Sequence, residues 1–476
     1  MYGLRMRISH DDAIIRRDIA EPLLSRICAD PLAVQKVIFD LNIEFADGRE
    51  AAGHCVRELV RRAISNVGTR AQAGILERKS AQSRRFLYAE LQGVVIQRAV
   101  AADTESQNLA VRAIHRVWLD FDVRALMNRS RATVKADAAQ RSFSAMGEGI
   151  VWAVLDTGID STHPHFARHH TLELDTPLRH MDFTVENPIA VAVPTDDSGH
   201  GTHVAGILAG EYEGQGTEAP IAIHRRRGEN GEVQRVCTTL RSMVGIAPRA
   251  KLMSLRVLDA SGTGSVSNLL AALDYVEQLN DHGRPLLIHG VNLSVGYDFD
   301  PEWFACGQTP LCAQVNRLVR SGVVVVAAAG NSGAAFTPSI NDPGNADLAI
   351  TVGATHAEMP HVYGVSYFSS KGPTGDGRAK PDLIAPGENV VSCCARVVDC
   401  LATGENAAVY IERSGTSMAA PHVSGAIAAF LSVRREFIGQ PEAVKQIFTT
   451  TATDLSRERY FQGHGLLDFM RAIQSI

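Results

Sequence analysis

Four side chains of this 476-residue chain are of types that can perform acyl transfer together. Asp156 closes VWAVLDTG, His200 opens HGTHVAGILAG, Asn331 lies in AAAGNSG, and Ser417 is the third residue of GTSMAAPHVSG. A serine hydroxyl is a poor nucleophile until a neighbouring base takes its proton, and histidine is the side chain suited to that task near neutral pH. A carboxylate can hold the imidazole in one tautomer and stabilise its cation. Attack on a carbonyl then builds negative charge on oxygen, which needs donors already in place. Taken singly, each residue has a plainer reading. Asp156 could cap a turn, His200 could be a satisfied structural histidine, Ser417 could cap a helix, and Asn331 could be a turn residue tolerating a left-handed conformation.

Taken together and in order, DTGID, HGTHVAG and GTSMAAPHVSG, with AAGNSG between the last two, resemble the subtilisin-like serine proteases, which share the order Asp, His, Ser. The resemblance runs from about residue 148 to about residue 470, ending in GHGLLDFMRAI. It implies a serine endopeptidase in which His200 acts as base on Ser417 and later protonates the leaving amine, while Asp156 orients His200. It also implies an oxyanion hole made by the Asn331 side chain and the Ser417 N–H. Ser417 at a helix N-terminus would place that N–H and the positive end of the dipole beside the oxyanion. Gly415, Ala419 and Ala420 leave room for close approach, and Pro421 cannot donate to the Ser417 carbonyl, which predicts a loosened first turn. By the same resemblance, Gly262, Thr263 and Gly264 of SGTGSVS form one wall for an extended peptide. Ser294, Val295 and Gly296 of NLSVG form the opposite wall, so the peptide becomes the middle of three strands.

Two departures from the family pattern stand out. His165, in DTGIDSTHPHF, occupies the place where many relatives carry a calcium-ligating aspartate, which puts that structural calcium site in question. The chemistry itself requires no cofactor. His163, His165, His169 and His170 lack the fixed spacing of a transition-metal site, so no metal ligand is assigned. The second departure is an insertion after the His200 helix, IAIHRRRGENGEVQRVCTTL, which reads as a β-hairpin turning at Asn230 and Gly231 with its arginines as a solvated face.

The elements that must position these residues are legible as periodicities. GIVWAVLD, KLMSLRVLD, LLIHGVNLS, GVVVVAAAG and LAITVGAT are short apolar runs, as strands buried on both faces should be, with helical stretches such as SVSNLLAALDYVEQLN between them. A parallel α/β sheet flanked by helices follows, with chemistry at the carboxyl ends of its strands. Before residue 130 the pattern differs. KVIFDLNIEF alternates from Val37 to Phe45, REAAGHCVRELVRRAIS has one apolar helical face, and after a polar connection from Asn66 to Arg85 come FLYAEL and RVWLDFDVRAL. We therefore expect an N-terminal extension over residues 1–30, a small α+β domain over 31–130 and the peptidase domain over 131–476. The small domain resembles the family's inhibitory propeptides in position and size, which implies a self-processing zymogen cut between about Leu126 and Ala136, with the domain as its own intramolecular inhibitor. A permanent partner-binding domain is the alternative.

Composition excludes more than it assigns. A net charge of -5 and 45% hydrophobic residues suit a soluble globular protein acting on proteins or peptides, with no nucleic-acid partner. The beginning of the chain mixes charges and carries no apolar run of signal-peptide or membrane-span type, so a cytoplasmic location is expected, with export by another route as the alternative. The 8 cysteines contain no Cys-x-x-Cys pair; Cys306 and Cys312, and Cys393, Cys394 and Cys400, are clustered closely enough to pair in an oxidising compartment, and without a signal sequence free buried thiols are the expectation. No His-Glu-x-x-His occurs, which argues against a metalloprotease. A silent peptide-binding relative would be expected to lack one of the four reactive residues, and all are present.

Overall fold

The structure is a computed structural model describing residues 18–67, 74–81, 83–105, 108–120, 130–214, 216, 219–227, 233–298, 305–333, 339–395 and 409–476. It divides into two units, Met1–Ala125 and Leu126–Ile476.

Unit 1 contains helix α1 (Glu21–Ala29) and strand β1 (Val34–Leu41), then α2 (Gly48–Val67), β2 (Gly74–Ile75), β3 (Phe86–Gln92), α3 (Gly93–Thr104) and β4 (Ile114–Leu119). The strands form an antiparallel sheet in the order β2-β3-β1-β4. Alternate residues Val37, Phe39, Leu87, Leu91 and Val117 meet Val56 and Val60 of α2 in one core. The alternation expected to run to Phe45 stops at Leu41, and Ile43 is 58% exposed. There the register shifts, and Asn42 turns the chain by accepting the Glu44 N–H at 3.0 Å. The connection after Asn66 is not wholly loop, because β2 pairs with β3. Residues 18–30 are not an extension, since Ile19, Leu23 and Ile27 are fully buried in the core of this unit. The first seventeen residues and the segment 121–129 lie outside the described residues.

Unit 2 opens its sheet with β5 (Val151–Asp156), β6 (His180–Asp182) and β7 (Ile189–Val191), followed by α4 (His200–Leu208). The inserted segment supplies β9 (Ile221–Arg227) and β10 (Val233–Thr239), flanked by the short strands β8 (Glu211–Glu213) and β11 (Ser242–Val244), which pair with each other. Then come β12 (Lys251–Arg256), α5 (Val266–Leu279), β13 (Gly290–Leu293), α6 (Pro310–Arg320), β14 (Val324–Ala328), β15 (Ile350–His356) and β16 (Leu383–Glu388). The chain continues through β17 (Val390–Cys393) and β18 (Val409–Arg413) into α7 (Thr416–Val433). The main sheet runs β16-β15-β14-β13-β5-β12-β6-β7, parallel except for β7.

Strand alternation divides its side chains between two cores. Trp152 and Val154 of β5 pack with α7, while Ala153 and Leu155 pack with α5 and α6. Gly290 faces Trp152 across β13, and a Cβ there would lie 2.2 Å from the indole, so glycine is what lets that ring lie flat on the sheet. The helix α7 is long and apolar enough to cross a membrane by length and composition, yet 83% of that window is buried inside the fold. Its apolarity belongs to the core.

β9 and β10 pair antiparallel as the insertion pattern predicts, with their turn outside the described residues. β9 also pairs parallel with β18, so the hairpin joins a second sheet, β10-β9-β18-β17, built onto the segment that leads into α7.

Candidate active site

Asp156 ends the central strand β5, beside Arg256 of β12, and is 1% exposed. His200 is the first residue of α4, and its Nδ1 lies 2.7 Å from Asp156 Oδ1. The Thr157 N–H also donates to Oδ1 at 2.8 Å, while Oδ2 is buried with no hydrogen-bond partner among the described residues. The α4 terminus approaches β5 this closely because Gly201 has no side chain: a Cβ there would lie 2.1 Å from the Gly158 carbonyl. Burial works against charge on His200, but the charge and hydrogen bond of Asp156 outweigh it and raise the ring's pKa, with Arg413 opposing.

A second carboxylate locks this arrangement and escaped the sequence reading. Asp196 accepts from the Thr157 hydroxyl at 2.8 Å, the Gly199 N–H at 2.8 Å, and the Thr202 N–H and hydroxyl at 2.8 and 2.6 Å. It thus ties the turn after Asp156 to the first turn of α4, satisfying donors that a helix start leaves open. An aspartate four residues before His200 is a capping signal that could have marked it.

Ser417 is the second residue of α7, so its N–H has no intrahelical acceptor. The Ser417 carbonyl that Pro421 cannot reach is held by the Ser294 hydroxyl at 2.9 Å, so the first turn is not left loose as expected. In return, Ser417 Oγ donates to the Ser294 carbonyl at 3.0 Å. Ser294 Oγ accepts from Asn292, which in turn accepts from Ser424 of α7, at 2.9 and 2.8 Å. Asn331 follows β14 and accepts the Thr416 N–H at 2.8 Å through Oδ1. Its oxygen is thus engaged by Thr416, and no hydrogen bond within the described residues engages its amide nitrogen.

A cavity of about 750 Å³ brings these groups together: His200, Asn331 and Ser417 line it, with Gly262–Gly264 on one side and Ser294–Gly296 on the other. The first wall is shaped by Asp259, another residue missed in the sequence, whose carboxylate accepts from the Ser261 and Thr263 N–H groups at 2.9 and 3.0 Å. The Thr263 carbonyl and the Gly262 N–H are also bonded within that turn. The backbone edge left to an incoming strand is therefore the Gly262 carbonyl and Gly264, narrower than the three-residue edge expected.

His165 is fully buried, with Nδ1 3.1 Å from the Tyr410 hydroxyl and Nε2 3.1 Å from the Ala209 carbonyl. Burial drives its pKa down to about 3. A neutral imidazole spanning those two partners does not fit a calcium ligand set, which is built of oxygens. His169 and His170 pair with Glu211 and Glu173 at 2.7 and 2.6 Å, and no group of three metal-ligating side chains occurs among the described residues. Cys306, Cys312 and Cys393 are free and buried, but Cys394 is disulfide-bonded, which corrects the free-thiol expectation there. Spacing along the chain does not carry the geometry that decides pairing.

Comparison with known proteins gives a match of the Subtilase family model to residues 147–465. Serine protease AprX of Bacillus subtilis (strain 168) is 30% identical over 344 residues, covering 70% of this chain and 68% of its own. Pyrolysin of Pyrococcus furiosus is 32% identical over 320 residues, covering 58% of this chain and 21% of its own. Subtilisin E of Bacillus subtilis (strain 168) is 29% identical over 329 residues, covering 69% of this chain and 66% of its own.

Proposed function

Since the chain belongs to the subtilase family and is thereby a serine endopeptidase, we propose that Asp156, His200 and Ser417 carry the hydrolysis, with Asn331 as side-chain donor to the oxyanion. The observation that supports this most is the 2.7 Å Asp156–His200 contact at the edge of a cavity that Ser417 and Asn331 also line. On substrate binding, Ser417 Oγ swings from the Ser294 carbonyl toward His200 Nε2 and gives up its proton. The oxygen bonds to the scissile carbonyl carbon, and the carbonyl oxygen takes the negative charge, facing Asn331 Nδ2 and the Ser417 N–H. His200 returns the proton to the amine as the C–N bond breaks. Water then cleaves the acyl-serine ester by the same relay.

The peptide pairs with the Gly262 carbonyl and Gly264 on one wall and with Ser294–Gly296 on the other, so recognition rests on backbone and tolerates varied sequences. No cofactor takes part in the chemistry, and the His165 loop does not retain calcium.

Unit 1 acts as a propeptide and intramolecular inhibitor, and the chain cuts itself just after it. Within the expected window from Leu126 to Ala136, the later part is built into unit 2: Val134 is fully buried and its carbonyl accepts the Phe469 N–H at 3.1 Å. Cleavage therefore belongs before Ser130. Intact-mass analysis of freshly expressed wild type and Ser417→Ala tests this. Wild type should yield a fragment beginning between Leu126 and Ser130, while the variant stays uncut. A full-length wild type already active on peptides, or identical trimming of Ser417→Ala, contradicts the reading.

A further inference from the structure

A second cavity, of about 670 Å³, also reaches Ser417. It shares His200, Asn331, Arg413 and Ser417 with the first but includes neither backbone wall; Asn389, Glu412, Ser414 and Met418 line it instead. The two walls hold the acyl half of a bound peptide, and His200 hands its proton to the departing amine. The second cavity therefore receives the residues that follow the scissile bond. Arg413 lines both cavities, which places it at the junction where the bond breaks.

Arg413 is firmly mounted. It ends β18, which is hydrogen-bonded to β17 on one side and to the inserted strand β9 on the other. Apart from His200, the charged groups of the cavity lining among the described residues are Glu412 and Arg413. Glu412 is engaged by His224 of β9, Oε2 to Nδ1 at 3.0 Å, and His224 is held from behind by Thr238 of β10 at 3.0 Å. The inserted hairpin thus ties up the carboxylate beside the cleft. Continuing the β9–β18 register brings Arg225 level with Arg413, and Arg225 pairs with Arg235 of β10, which is exposed on that same face. The positive charge of Arg413 is also felt by His200 and His203, as expected of a guanidinium close to the reaction centre.

We propose that Arg413 makes the enzyme prefer peptides with an acidic residue immediately after the scissile bond, held by an ion pair in this leaving-group cavity. This rests on the assignment of Ser417 and His200 above, and the test separates the two. Three substrates with one acyl half are compared on the processed enzyme: a peptide continuing with Asp, the same peptide continuing with Lys, and a 4-nitroanilide with nothing after the cleaved bond. Wild type should show kcat/KM roughly five- to tenfold higher for Asp than for Lys at low salt, as a partly exposed ion pair allows. The ratio should shrink in 0.5 M NaCl, as screening of about that concentration requires. Arg413→Gln should bring the ratio near one, and Arg413→Glu should invert it. Equal rates for the two peptides in wild type, or an Asp preference surviving in Arg413→Glu, overturns the proposal while anilide hydrolysis leaves the Ser417 assignment standing. Failure to hydrolyse all three overturns both. The wild-type ratio and its salt dependence decide the matter even if a variant does not fold.

Discussion

Ser294 and Ser417 hold each other reciprocally: the Ser294 hydroxyl donates to the Ser417 carbonyl at 2.9 Å, and the Ser417 hydroxyl donates to the Ser294 carbonyl at 3.0 Å. The first bond exists because Pro421 cannot donate to that carbonyl. Ser294→Ala should leave a part-buried acceptor unmade, costing about 1–3 kcal/mol, and should lower turnover through misplacement of Ser417. Urea unfolding and kinetics on one preparation check this. Unchanged stability would mean that another group holds the carbonyl.

Asn331 uses its oxygen to hold Thr416 at 2.8 Å and lines the cleft, which leaves its nitrogen as the donor proposed for the oxyanion. Asn331→Ala should lower kcat about a hundredfold to a thousandfold, the usual cost of one oxyanion donor. Asn331→Asp keeps the acceptor for Thr416 but replaces the donor with a negative oxygen, so it should fold well and be at least as inactive. Wild-type turnover in either variant would remove Asn331 from the oxyanion role.

The Asp156–His200 contact fixes the pH dependence. His200 must be neutral to act as base, and Asp156 raises its pKa despite burial, so kcat/KM should rise with pH through a midpoint above the ordinary histidine value of about 6.5. Asp156→Asn removes the raising contribution. Its acidic limb should move to lower pH, while kcat falls by about ten-thousandfold. An acidic limb that stays in place in the variant would show that another group titrates.

His165 predicts the acid side of stability. Its pKa is about 3 in the fold, below the ordinary value of about 6.5 for the unfolded chain, so its contribution is complete above pH 6.5 and is lost as pH falls toward 3. At pH 5 this amounts to about 2 kcal/mol, from the pKa difference traversed. His165→Gln cannot titrate, so its unfolding free energy should fall less between pH 7.5 and pH 5 by about that amount. Equal losses in the two proteins would contradict the burial argument.

The sequence disclosed what depends on local pattern. Runs such as VWAVL and VVVVAA are apolar on both faces because β5 and β14 are interior strands, and their ends located Asp156 and Asn331. β18, VYIER, alternates weakly and lies in a separate mixed sheet, so neither it nor the clamp placed on it by β9 was foreseen. The Ser294–Ser417 bond joins residues 123 positions apart, and no periodicity reports such a pairing. Residues 18–30 looked like an extension because α1 is short and its apolar face becomes meaningful only against the sheet of unit 1.

The most direct test of the central claim is to label the processed protein with a fluorophosphonate, which reacts with serines activated as nucleophiles, and to map the adduct by peptide mass spectrometry. The assignment predicts one adduct, on Ser417, lost in Ser417→Ala and strongly slowed in His200→Ala, with peptide hydrolysis lost in parallel. An adduct on another serine, or hydrolysis persisting in Ser417→Ala, would contradict it.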